Sequence, residues 1–239
     1  MRMHTKSGRS RWPYVFGSAL VVVAVAGGLV YTANQPTPEP TQSAEPAPTP
    51  TGTAPAAGGS GASDGDEGAA PTGCLGGQDR NAAMVLAAQS AAPHTTFGAV
   101  EVAASFHKFI WQYPYQPIED YSTVASTLIP ETATATWKDL SASMQGAGDD
   151  PSQGVVAAGT PFYTSTVNGL WRVTEDSTAD RVTVELAVAY VIDGALSPTE
   201  IAGMGLVMVW QNDAWYVESG VKVDQEKLAN GGTRFTGGC

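Results

Sequence analysis

The sequence predicts an α+β protein: N-terminal helices packed on a curved four-stranded antiparallel sheet, preceded by one transmembrane helix and a disordered linker. Three observations carry this prediction. Apolar residues recur at helical spacing between 97 and 144, then switch to a period of two between 162 and 223. An uncharged apolar run fills 13–31. Between the run and the patterned region lies a stretch with no Leu, Ile, Val, Met, Phe, Trp or Tyr.

The anchor comes first. Residues 1–34 carry Arg2, Lys6, Arg9 and Arg11 and no acid, whereas the other 205 residues carry 8 bases and 23 acids. The 19 residues from Pro13 to Tyr31 are uncharged and would reach roughly 28 Å as a helix, close to the hydrocarbon thickness of a bilayer. Basic residues precede this run, and none follows it for 48 residues, which places the N-terminus in the cytoplasm. Trp12, Tyr14 and Tyr31 fall where interfacial aromatics belong. The division expected is a cytoplasmic basic tail 1–12, a transmembrane helix 13–32, a linker 33–73 and an extracytoplasmic domain 74–239. Ala24-Val25-Ala26 before Gly27 leaves a cleaved signal peptide as the alternative, although the run continues through Leu29, Val30 and Tyr31.

The linker follows from composition. Of the 39 residues from 35 to 73, 32 are Pro, Ala, Gly, Thr or Ser. Such a segment has no apolar surface to offset its ordering entropy. As a coil it would reach about 35 Å, suited to a tether crossing part of a cell wall.

Cys74 and Cys239 are the only cysteines of the chain, and they bracket the domain. Outside the membrane such a pair oxidises, and closing so long a loop would restrict the unfolded chain by up to about 5 kcal/mol. Two free thiols, with Cys239 open to intermolecular pairing, are the alternative.

Within the domain, 79–91 is Ala-rich, with Asp79 as a possible N-cap and Pro93 as a stop. A firmer helix spans 97–113, with Ala103, Phe106, Ile110 and Tyr113 on one stripe and Pro114 after it. Pro117 opens the next, with Ile118, Tyr121, Val124, Ala125 and Leu128 on one side and Pro130 as its end. Ala133, Trp137, Leu140 and Met144 continue at helical spacing. The first strand, 162–175, sets Tyr163, Val167, Trp171 and Val173 on one face, with Gly169 as a bulge. The cleanest strand, 181–192, alternates Val182, Val184, Leu186, Val188, Tyr190 and Ile192 against Arg181, Thr183, Glu185, Ala187 and Ala189. A strand at 203–211 turns at Gln211-Asn212-Asp213 into one at 214–223, with Trp215, Val217 and Val221 inward.

Helices followed by antiparallel strands resemble the cone-like fold of the nuclear transport factor 2-like superfamily, over roughly 95–225. The whole layout also resembles actinobacterial single-span proteins linked with conjugative elements. The features behind this second likeness are the basic start, the span, the Pro/Thr/Ala linker, Cys74 and the Ala92-Pro-His-Thr-Thr-Phe-Gly-Ala-Val100 opening. That resemblance implies a scaffold role like that of inner-membrane components of type IV secretion. It transfers no functional residue.

Chemistry is sparse. A net charge of -11 has the wrong sign for phosphate, so nucleic acid is not expected as a partner. Two cysteines and three histidines do not make a Cys-rich zinc module. No nucleophile elbow, His-Glu-x-x-His helix or phosphate-binding loop is present. His4 falls in the basic tail, and His94 either caps a helix or is exposed. Should a cavity lie between helices and sheet, Phe106, His107, Ile110, Val188 and Tyr190 would line it. There His107 or Asp120 would be candidate bases, with Tyr113 or Tyr190 as hydrogen-bond donors. The preferred reading keeps His107 as a satisfied, half-buried core residue, with no catalytic residue, cofactor or metal. Asp149-Asp150 and the group Glu175, Asp176 and Asp180 lack the spacing of a calcium loop and fit solvated turns. Trp111, Tyr113 and Tyr115 fit packing between helices better than an exposed patch.

The expected function is that of a non-enzymatic, membrane-anchored interaction or scaffold domain. Its partners would be the membrane, through 13–32, and other envelope proteins or a second copy. A small-molecule or lipid-binding module using the cone cavity is the alternative, and an isomerase- or hydratase-like enzyme a third.

Overall fold

A computed structural model describes residues 68–239; the expected tail 1–12, the expected span 13–32 and positions 33–67 of the expected linker lie outside the described residues. Among the described residues no helix is long and apolar enough to cross a membrane.

The helical half comprises α1 (Ala82–Ala91), α2 (Thr96–Ile110), α3 (Ile118–Leu128), α4 (Ala135–Lys138) and α5 (Leu140–Ala147). The strands are β1 (Phe162–Val173), β2 (Arg181–Ile192), β3 (Ala195–Gln211) and β4 (Ala214–Val221), followed by α6 (Gln225–Gly231) and β5 (Thr233–Arg234). All pair antiparallel in one open sheet of order β4-β3-β2-β1-β5. The α+β class therefore holds, and the sheet has five strands where four were expected. The fifth is a short C-terminal piece that alternation does not reveal.

The helices differ from expectation at their ends. Asn81, not Asp79, caps α1: its side chain accepts from the Met84 amide at 3.0 Å. α2 stops at Ile110, and Gln112 Nε2 donates to the Phe109 carbonyl at 2.7 Å, an acceptor that a continuing helix would offer to the Tyr113 amide. Tyr113 thus leaves the helical stripe and exchanges two backbone hydrogen bonds with Phe162, each 2.8 Å. The segment expected as one helix around Ala133–Met144 is broken at Asp139, whose side chain accepts from Ala142 N at 2.9 Å and starts α5. An Asp placed to cap can restart a helix as well as continue one.

Every residue of α2 from Gly98 to Ile110 is buried. This helix is the central rod of the domain, covered by α1 as well as by the sheet, and not an amphipathic helix with one wet side. Facing it, Val182, Val184, Leu186, Val188 and Tyr190 of β2 are each at most 2 % exposed, as alternation predicts. The opposite face of β2 is partly covered too. Glu185 is buried there, held by Arg172 Nη2 at 2.6 Å and by the Asp224 amide at 2.8 Å, where α6 begins.

Three bulges interrupt the ladder and bend it. Ser165 and Leu170 of β1 pair with Ala189 and Ala187, so Thr166–Gly169 oppose a single residue, and Asn168 adopts a positive φ of 58°. This is where Gly169 was expected to bulge; the excursion also turns Val167 outward, 37 % exposed and off the face assigned to it. In β3, residues 197–200 bulge between Leu196 and Ile201, and Ser197 Oγ accepts from Glu200 N at 3.0 Å. In β4, Glu218 is the extra residue between Val217 and Ser219. It reverses the alternation, so Val221 lies on the outer face with Gly205, while Gly220 faces Trp137.

Candidate functional site

The residues expected to line a cavity meet in the layer between α2 and the sheet, and they fill it. Phe106 and Tyr190 are fully buried, and Val188, Ile110 and His107 are no more than 5 % exposed. Trp111 reaches down from the end of α2 and donates its Nε1 hydrogen to Tyr190 Oη at 2.8 Å. The Phe162 ring closes on Tyr190 from β1 with centroids 5.3 Å apart. Surface hollows lie elsewhere. One, of about 270 Å³, sits between α3 and α4–α5 and is lined by Ser122, Ser126, Glu131, Lys138 and Ser141. Another adjoins Lys222–Gln225. None of the five expected lining residues borders either.

His107 shares a 3.2 Å hydrogen bond through Nδ1 with the Thr164 hydroxyl, while its buried Nε2 has no partner. Burial first, and then the charge of Lys108, push its pKa down to about 3, so the ring is neutral at physiological pH. Tyr190 is pushed up to about 12, chiefly by burial, and serves as a neutral acceptor for Trp111. The second candidate base is not beside the first. Asp120 accepts from the Ala82 amide at 3.0 Å, tying the start of α3 to the start of α1. Tyr113 packs edge-on to Tyr115, and Tyr115 edge-on to Tyr121, so these rings make an internal ladder. Trp111 is buried as well.

The other groups singled out in the sequence are local. Asp150 accepts from Ser152 Oγ and from Gly154 N within its own turn. Asp180 pairs with His94 at 2.8 Å. His94 does not cap α2, a role taken by Thr95. Its ring stacks flat on Trp210 at 4.3 Å and ties the α1–α2 loop to the β1–β2 turn. Among the described residues, no group of three or more His, Cys, Asp or Glu is placed to hold a metal ion.

No family model, curated protein or solved structure matches this chain.

What the structure adds is a buried polar clamp around both ends of the domain. Glu101, on α2, accepts through Oε1 from Thr72 N (2.5 Å), Thr72 Oγ1 (2.9 Å) and Gly73 N (3.1 Å), and through Oε2 from Leu75 N (3.2 Å). Two turns later Lys108, 1 % exposed, donates to the Gly73 carbonyl at 2.9 Å and the Gly77 carbonyl at 3.4 Å. Burial, and then Arg80, lower the Lys108 pKa to about 8, against the pull of Glu101. The clamped loop carries Cys74, which is disulfide-bonded to Cys239 with Cα atoms 5.6 Å apart. Pro71 is buried and accepts from Thr236 N at 2.9 Å, so the domain includes residues before the expected boundary at 74. The apolar pattern does not point to this clamp. Its signal is the pair Glu101 and Lys108, seven residues apart on a largely apolar helix.

Proposed function

We propose that this is a non-enzymatic, membrane-anchored scaffold or interaction domain, held outside the membrane by residues 13–32 and the tether that follows. The membrane anchor rests on the charge asymmetry and apolar run of the sequence. One observation carries the scaffold role. The point where the tether enters the domain is heavily fastened, with four donors on Glu101, two carbonyls on Lys108 and a disulfide within a few residues. Such an attachment transmits position and load from an anchor to a rigid body. Support also comes from the helix–sheet layer, where the two candidate bases are engaged separately, His107 with Thr164 and Asp120 with Ala82. The layout further suits an envelope assembly of the conjugative-transfer or secretion type, with other envelope proteins or a second copy as partners.

The test uses the full chain in cells. It should pellet with membranes, resist alkaline extraction, be digested by protease added from outside, and crosslink to envelope proteins or to itself. Recovery in the aqueous fraction, or a C-terminal reporter active only in the cytosol, would overturn the proposal.

A further inference from the structure

The geometry points to a redox-opened latch: residues Thr236–Cys239 are held over the bulge of β1 by the Cys74–Cys239 disulfide, and reduction swings them away about Phe235. This inference is independent of where the protein resides.

The two sides of the disulfide are fastened very differently. On the Cys74 side, the loop is bound to Glu101 and Lys108 by contacts that do not involve the sulfur bridge. On the Cys239 side, the segment after Phe235 is held only at its two ends, Thr236 and Cys239, and by no charged side chain. Thr166 N donates to the Cys239 carbonyl, and Cys239 N to Thr166 Oγ1, each at 3.0 Å. Thr236 N donates to the Pro71 carbonyl at 2.9 Å, and the Thr236 hydroxyl lies 3.2 Å from the carbonyls of both Ala70 and Pro71. The intervening Gly237 and Gly238 bring no side chains, and two glycines gain the most backbone freedom on release. Gly238 lies so close to Val167 that a Cβ there would fall 2.5 Å from its side chain, so this piece is fitted flat against the bulge. The hinge is equally plain. Phe235 is 6 % exposed within the core cluster, its amide donates to Gly169 O, and β5 pairs with Leu170 and Trp171 just before it.

Both cysteines are partly exposed, so an external dithiol can reach them. It supplies two electrons and two protons. The S–S bond breaks to two cysteine thiols, and the dithiol closes to its own disulfide. Release of Thr236–Cys239 uncovers the Thr166 amide, the rest of the Val167 side chain and the Pro71 carbonyl at the root of the tether. An uncovered strand edge of that kind is open to pairing.

The experiment is pulsed hydrogen exchange on the full chain, oxidised and after dithiothreitol, with Cys74→Ser/Cys239→Ser read in parallel without reductant. The expected result is that protection at Thr166, Thr236 and Cys239 falls on reduction to within about tenfold of a free amide. Phe235 and the β2 amides from Val182 to Tyr190 should keep their protons through the same pulse. Two results would overturn the latch. The Thr236–Cys239 amides could stay protected in the reduced form, showing that their hydrogen bonds suffice. Alternatively, the β2 amides could exchange in the same pulse, showing that the disulfide staples the whole domain.

Discussion

The carboxylate of Glu101 accepts from four donors of one loop, so its removal leaves them stranded in a largely buried place. Glu101→Ala should lower stability by about 3 kcal/mol in urea unfolding, and Glu101→Gln, which keeps one acceptor oxygen, by clearly less. His107 makes a prediction about acid. Its folded pKa, about 3, lies below the ordinary 6.5, so the unfolded chain takes up a proton that the folded chain refuses. Stability therefore falls as pH drops through 6.5 and keeps falling toward the folded value. Between pH 6 and pH 5 the native protein should lose about 1 kcal/mol more than His107→Gln, measured as the difference in unfolding free energy. The preference for His107 as a core residue came from its place beside Phe106 on an apolar stripe. The charges at Glu101 and Lys108 escaped notice because hydrophobic patterns weigh only apolar positions.

Among the elements, those whose side chains follow one period were readable from the chain. β2 appears over its expected 181–192 because six apolar residues alternate there without interruption. The Asn212–Asp213 turn, with φ of 49° and 59°, is likewise where polar turn residues separate two strands. The second two-residue hairpin turn, at Asp193–Gly194, carries the strong Asp-Gly turn signal but lies outside the expected elements. Ser197-Pro198-Thr199-Glu200 breaks the alternation just after it, so the pattern places the start of β3 at 203 and not at Ala195. The bulge at Glu218 has no sequence mark, which is why Val221 was assigned to the wrong face. Two glycine substitutions should move stability in opposite directions. Gly194 has a φ of 78° and open space around its Cβ position, so Gly194→Ala should destabilise by about 1 kcal/mol through backbone strain alone. Gly146 lies within α5, also with open space, so Gly146→Ala should stabilise by about 0.5–1 kcal/mol. Thermal unfolding of the two variants checks both signs.

For the whole molecule, the α+β order and the disulfide were accessible from sequence because one is set by periodicity and the other by cysteine count. The C-terminal strap was not, since Gly232–Cys239 holds little apolar pattern beyond Phe235. Cys74 and Cys239 stand 165 residues apart in the chain. Cys74→Ser/Cys239→Ser should therefore lower the free energy of unfolding by about 4 kcal/mol, chiefly by freeing the unfolded chain. The chevron should show how much of that change falls on the unfolding limb. The meeting of Pro71 with Thr236 has a further use. A short peptide joining the two ends would close the domain into a ring, and new ends could then be cut at Asn212–Asp213. Such a circular permutant would keep every layer of the core while presenting its ends at the β3–β4 hairpin, a ready format for display or for grafting the body into another chain.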